Sequence, residues 1–141
     1  LRMHLNTYLT FNGNCREAFE FYRSVFGGEF SVFQTFGEGP PDMDVPDQMT
    51  DHVMHVSLPV GDSILMGSDN GPGRPDVVMG SNFSVSVAPD SRDACEALFA
   101  KMAEGGSIEM PLSEMFWGAY FGICRDRFDI SWMFNYDPNP S

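Results

Sequence analysis

Only a few residues of this 141-residue chain carry side chains suited to chemistry at neutral pH: His4, His52, His55, Cys15, Cys95 and Cys124. Imidazole is the most versatile of these, as general base, metal ligand or hydrogen-bonding lining of a pocket. His55 is the best placed. Strict alternation along His52–Leu58 (HVMHVSL) puts it on one strand face with Val53 and Ser57, and puts His52 on the other with Met54, Val56 and Leu58. The two imidazoles therefore do not form a chelating pair, and His4 falls at a rim. His55 is the candidate catalytic residue, a candidate ligand contact and a weak candidate metal ligand. The cysteines are odd in number and lack CxxC spacing, which fits buried free thiols in a reducing compartment. Arg74 follows Gly71-Pro72-Gly73, a sequence reminiscent of an anion loop, but no helix start follows it and a plain linker is the simpler reading.

The second resource is aromatic. Tyr8, Trp117, Tyr120, Phe121, Trp132 and Phe134 fall on or beside strand-like runs. Core packing accounts for part of the set. The rest suits an apolar small-molecule pocket, with Tyr8, His55, Trp117, Phe121 and Trp132 as the candidate ligand-binding residues. Glu109 and Glu114 are possible acids at its mouth, although a solvated edge explains them as well. Ten methionines, among them Met43, Met49, Met110, Met115 and Met133, fit core filling or a dimer seam.

A net charge of −12 argues against nucleic acid and anionic membranes as partners. Much of the acid lies in Glu38–Asp51, a Gly- and Pro-containing stretch that reads as a mobile loop. No apolar run has membrane-spanning length, and the start of the chain does not resemble a signal peptide. A cytoplasmic location is expected.

The elements that must hold these residues are organised around the helix over Asn12–Gly28. Asn14 stands at its N-cap, Glu17 at the third helical position and Gly27-Gly28 at its end. Cys15, Ala18, Phe19, Tyr22, Val25 and Phe26 form its apolar stripe. A second helix over Asp90–Gly106, with Asp90 as cap, repeats the pattern: Arg16, Glu17, Ala18 and Glu20 have counterparts in Arg92, Asp93, Ala94 and Glu96, 76 residues later. Strands are expected over 3–11, 29–36, 52–58, 63–66, 82–87, 107–110, 119–124 and 128–135. Residues 59–62 and 126–129 read as turns, 112–117 as a loop or edge, and the tail from Asp137 as disordered. The order is β-α-β-β-β twice: a module over 3–69, a linker over 70–81 and a module over 82–136, together one domain spanning 1–141.

Quoted in order, Tyr8–Asn14 (YLTFNGN), Glu17-Ala18, Phe21-Tyr22, Val25–Gly28 (VFGG), His55, Gly61–Ser63, Ser68-Asp69, Trp117-Gly118, Phe121-Gly122 and Asp126–Trp132 (DRFDISW) carry a family resemblance through nearly the whole chain. The sequence resembles the vicinal oxygen chelate superfamily of glyoxalases, bleomycin-resistance proteins and extradiol dioxygenases. Within it, it looks most like the PhnB-like group, whose members often bear the name 3-demethylubiquinone-9 3-methyltransferase. The resemblance implies an α+β fold of two βαβββ modules forming a curved mixed sheet around a cavity, and a homodimer. Metal-using members draw four ligands from four strands. At the matching positions this chain offers Asn6 or Thr7, His55, Asn82 and Met133, one good ligand where three or more are needed. The expected function is small-molecule binding without a tight metal or other cofactor. The alternative is a metal-assisted enzyme, its divalent metal on His55, acting on a small oxygenated substrate. A cofactor-binding methyltransferase would need a Gly-rich loop between strand and helix; Asn12-Gly13-Asn14 has one glycine.

Overall fold

The computed structural model describes residues 2–139, so the last two residues of the expected tail lie outside it. The chain forms two compact units, Leu1–Val78 and Met79–Ser141. Each is a four-stranded mixed sheet with one helix, an α+β arrangement in which the element order β-α-β-β-β occurs twice.

In the first unit, β1 (Thr7–Phe11), α1 (Cys15–Phe26), β2 (Val32–Thr35), β3 (Val53–Val60) and β4 (Ser63–Asp69) build a sheet of order β1-β4-β3-β2. β1 and β4 run parallel and the other pairs antiparallel. Helix α1 buries Cys15, Ala18, Phe19, Tyr22 and Val25, the three- and four-residue spacing expected of one helical face. Phe19 lies edge-on to Phe11 and Tyr22, with centroids 6.3 and 5.4 Å away. Gly67 makes that contact possible, because a Cβ there would lie 2.5 Å from the Phe19 ring.

Asn14 occupies the N-cap of α1 but makes no side-chain capping bond. The cap comes from Asp69 at the end of β4. Its Oδ1 accepts from the Gly13 and Cys15 amides at 2.8 and 2.9 Å, and its Oδ2 from the Val53 amide at 2.8 Å. One buried carboxylate thus fastens the helix start to two strands. The loop expected between β2 and β3 contains two short 3-10 turns, Phe36–Glu38 and Asp47–Met49, the first capped reciprocally by Thr35 and Glu38.

The second unit repeats the plan with β5 (Val85–Val87), α2 (Arg92–Ala103), β6 (Ser107–Glu114), β7 (Tyr120–Arg125) and β8 (Ser131–Tyr136) in the order β5-β8-β7-β6. Segment 107–114 is one bulged edge strand, where a short strand and a loop were expected. α2 is capped by Ser91, one residue beyond the Asp90 expected, its side chain accepting from the Ala94 amide at 3.0 Å. Its buried face is narrower than that of α1: Cys95, Phe99 and Met102, with Phe99 edge-on to Phe134 at 5.6 Å. Asp126 is this unit's buried carboxylate. It accepts from the Phe128 and Ile130 amides at 2.7 and 3.1 Å and from Trp132 Nε1 at 2.8 Å, which fixes the tight turn before β8.

Candidate functional site

In the first unit, α1 covers one sheet face. The opposite face carries Tyr8 and Thr10 of β1, His55 and Ser57 of β3, and Ser68 of β4. Strict alternation fails at the start of β3, because Gln34 pairs with His55 while Thr35 pairs with Val53, which leaves Met54 as an extra residue in a bulge. Val53 and Val56, three apart, are consequently both fully buried. Val53 and His55 were expected to share a face, and the bulge separates their environments.

His55 sits between two hydroxyls. Tyr8 Oη lies 3.2 Å from its Nδ1 and Ser57 Oγ 3.1 Å from its Nε2. The Tyr8 and His55 rings stack at 5.7 Å with planes 22° apart. Ser57 is buried, whereas Tyr8 is 47% exposed, so the chain Ser57–His55–Tyr8 runs from the interior to the surface. Such a chain can fix the imidazole's orientation and pass a proton along it. Binding a metal at either nitrogen would displace a hydroxyl. His52 lies elsewhere, its ring beside Gly13.

Along the same strands the unit has a cavity of about 330 Å³, bordered by Thr10, Phe36, Met54, Ser68, Asp69, Asn70, Gly71, Arg74 and Val77, a lining that includes neither Tyr8 nor His55. Its lining sets the apolar side chains of Phe36, Met54 and Val77 among the polar ones of Thr10, Ser68, Asp69, Asn70 and Arg74, and its volume lies at the small end of the range for ligand sites. The outer wall belongs to the segment after β4. Asn12 holds that segment by exchanging two hydrogen bonds with the Val77 backbone, at 3.0 and 2.9 Å, and Asn70 Nδ2 donates to the Pro75 carbonyl.

A model of the family described as 3-demethylubiquinone-9 3-methyltransferase matches residues 3–134, nearly the whole chain. The chain belongs to this family. Protein YjdN of Escherichia coli K12, a member of the curated proteins it resembles, is 30% identical, the match covering 94% of this chain and 95% of YjdN. The crystal structure of protein PA1353 from Pseudomonas aeruginosa is 42% identical and superposes with a TM-score of 0.86, covering 96% of this chain and 98% of that one. At 16% identity, a glyoxylase/bleomycin resistance protein/dioxygenase domain from Frankia sp. EAN1pec shares the fold, with a TM-score of 0.64 over 100% of this chain and 96% of that one. The PhnB-like resemblance and the glyoxalase/bleomycin-resistance fold read from the sequence both stand.

In this PhnB-like chain, the remaining residues singled out from sequence lie in the second unit. Trp117 is half exposed and packs at 4.9 Å against Phe116 and 6.4 Å from Phe121. Trp132 is buried to 1% exposure with its indole N–H committed to Asp126, so within its unit it packs the interior and does not line a surface. Asn82 is exposed ahead of β5, and Met133 is half-buried on β8. Glu114 and Glu109 pair with Arg92 at 2.7 Å and Arg125 at 3.0 Å on the surface. All three cysteines are buried free thiols. Burial, aided by Asp126 and Glu109, pushes the Cys124 thiol up to about 12, and burial beside Asp69 pushes Cys15 up further in the same direction. Among the described residues no group of three or more His, Cys, Asp or Glu side chains converges as a metal site.

The sequence places Ser57 on the face of His55 without showing that the two bond, and gives no sign that Thr10, Ser68 and Arg74 border one cavity. Serine and threonine at alternate strand positions look like ordinary solvent-facing residues. Their significance lies in cross-strand register, which the sequence does not display.

Proposed function

We propose that this protein is a small-molecule binding protein of the PhnB-like, glyoxalase-related type. Its ligand sits in the cavity of the first unit, against the face bearing Tyr8, His55, Thr10 and Ser68. The observation that carries this reading is the cavity itself, lined by Thr10 of β1 and Met54 of β3, the strands that also carry Tyr8 and His55. Phe36, Met54 and Val77 supply apolar contact, and the hydroxyls of Thr10 and Ser68 fix the orientation, a division of labour usual in such sites. Trp117 and Phe121 are assigned a supporting role as exposed aromatic contacts. We assign no tight metal, since His55 is engaged at both nitrogens. A homodimer is in keeping with the exposed Phe116 and Trp117 rings, and a reducing, cytoplasmic setting with the three free thiols.

One observation favours a second reading, an enzyme of the same superfamily. The Ser57–His55–Tyr8 chain is a ready proton path, with His55 as base. A crystallographic fragment screen with paired affinity measurements tests the first reading. Fragments should collect in the cavity, and Thr10→Val or Ser68→Ala, each removing a hydroxyl that borders it, should weaken them by up to about tenfold, the effect of one lost hydrogen bond. Fragments that collect elsewhere on the unit and ignore both substitutions would overturn it.

A further inference from the structure

We propose that the first-unit cavity is built for a small monocarboxylate with a compact apolar body, held at its charged end by Arg74. This rests on the cavity being the ligand site. Three groups bordering it carry unused hydrogen-bonding capacity. Arg74 borders the cavity, and its guanidinium has no hydrogen-bond or ion-pair partner among the described residues. Thr10 and Ser68 stand directly opposite each other in the parallel β1–β4 register, half-buried, with neither hydroxyl bonded to another described residue. Of the remaining walls, Phe36, Met54 and Val77 are apolar, and Asp69 and Asn70 are committed to hydrogen bonds within the fold.

An unpaired guanidinium is unusual here. The chain carries only eight Lys and Arg against twenty Asp and Glu, and Arg23, Arg92 and Arg125 each pair with carboxylates. The segment bearing Arg74 is tied in place on both sides, by Asn70 to Pro75 and by Asn12 to Val77. A tethered, unpaired arginine at the edge of a half-apolar cavity suits a planar carboxylate, which it can engage through two parallel N–H bonds. The hydroxyls of Thr10 and Ser68 can donate to the same head group or to a carbonyl or hydroxyl beside it.

Charge selects the monoanion. The Asp69 carboxylate also borders the cavity, and although three backbone amides satisfy its oxygens, its field opposes a second negative charge, as does the net charge of −12. One guanidinium matches one carboxylate. A phosphate or phosphonate dianion would bring a charge that nothing in the cavity balances.

Amide-resolved NMR titration tests this with three matched probes: phenylacetate, the neutral 2-phenylethanol and phenylphosphonate. The wild-type protein should bind phenylacetate at least tenfold more tightly than 2-phenylethanol, with the largest shifts at the Thr10, Met54 and Ser68 amides. Arg74→Gln should remove that preference while leaving 2-phenylethanol binding unchanged, and Arg74→Lys should restore part of it. Arg74 is exposed, so neither substitution threatens the fold. Equal binding of phenylacetate and 2-phenylethanol in the cavity, unaffected by Arg74→Gln, would overturn the carboxylate proposal and leave the cavity as a ligand site. Phenylphosphonate binding more tightly than phenylacetate would overturn the choice of a monoanion. The absence of shifts at these amides with all three probes would overturn both the carboxylate proposal and the ligand site beneath it.

Discussion

The two units solve one problem in two ways. Each buries an aspartate and spends both carboxylate oxygens on three N–H donors. Asp126 draws its donors from Phe128, Ile130 and Trp132, all within six residues, and so stabilises a turn. Asp69 draws its donors from Gly13, Cys15 and Val53, up to 56 residues away, and so joins a helix start to two strands. A local clasp and a long-range one have different consequences. Loss of the first loosens a corner. Loss of the second frees the start of α1 and the beginning of β3, the strand that carries His55, and disturbs the cavity that Asp69 borders.

The largest expected effect follows. Asp69→Ala should cost about 3–5 kcal/mol in urea unfolding, since it orphans three buried or half-buried amides at once. Asp126→Ala should cost about 2–4 kcal/mol, because water can reach part of its turn. A greater loss at Asp126 would break the comparison.

Thiol labelling sharpens it. Cys15 offers its own amide to Asp69, whereas Cys95 and Cys124 lie in the other unit. In the native protein all three should resist a thiol reagent near neutral pH, because burial raises each of them above 9.0. Asp69→Ala should make Cys15 react first. The linked pH effect has a definite sign. A thiol raised by folding stays protonated in the native state, while the unfolded chain ionises above 9.0, so stability should fall as pH rises from there toward about 12. Urea midpoints that stay level across pH 9–10.5 would contradict this.

A smaller effect separates the two helix caps. Ser91→Ala should cost about 1 kcal/mol, because Ser91 bonds the Ala94 amide. Asn14→Ala should change stability by less than about 0.5 kcal/mol, since Asp69 already does that work. Equal losses at the two positions would show that Asn14 caps its helix in solution after all.

The same contrast explains what could be read from the chain. Local features were legible: both helices from their apolar spacing, the doubled β-α-β-β-β order, the turn at Asp126–Asp129. The first helix has Asn14 at its N-cap as read, but the bond that satisfies its first turn comes from Asp69, 54 residues beyond Cys15, and nothing near Asn14 in the sequence points there. Of the candidate site, His55 and Tyr8 were named, but their contact across 47 residues was not. Arg74 reads as linker in the sequence, which does not show that Asn12 and Asn70 hold its segment against the cavity. Strand lengths also differed, most clearly in β1, which begins at Thr7, and β4, which continues to Asp69.

The central claim is that the first unit seats a small molecule beside an imidazole held by hydroxyls, without a tightly held ion. Elemental analysis of protein purified without chelator tests it most directly, with His55→Ala alongside. The account predicts well under one divalent ion per chain in both proteins. One ion per chain in the wild type, lost in His55→Ala, would contradict it and install the metal-assisted enzyme in its place.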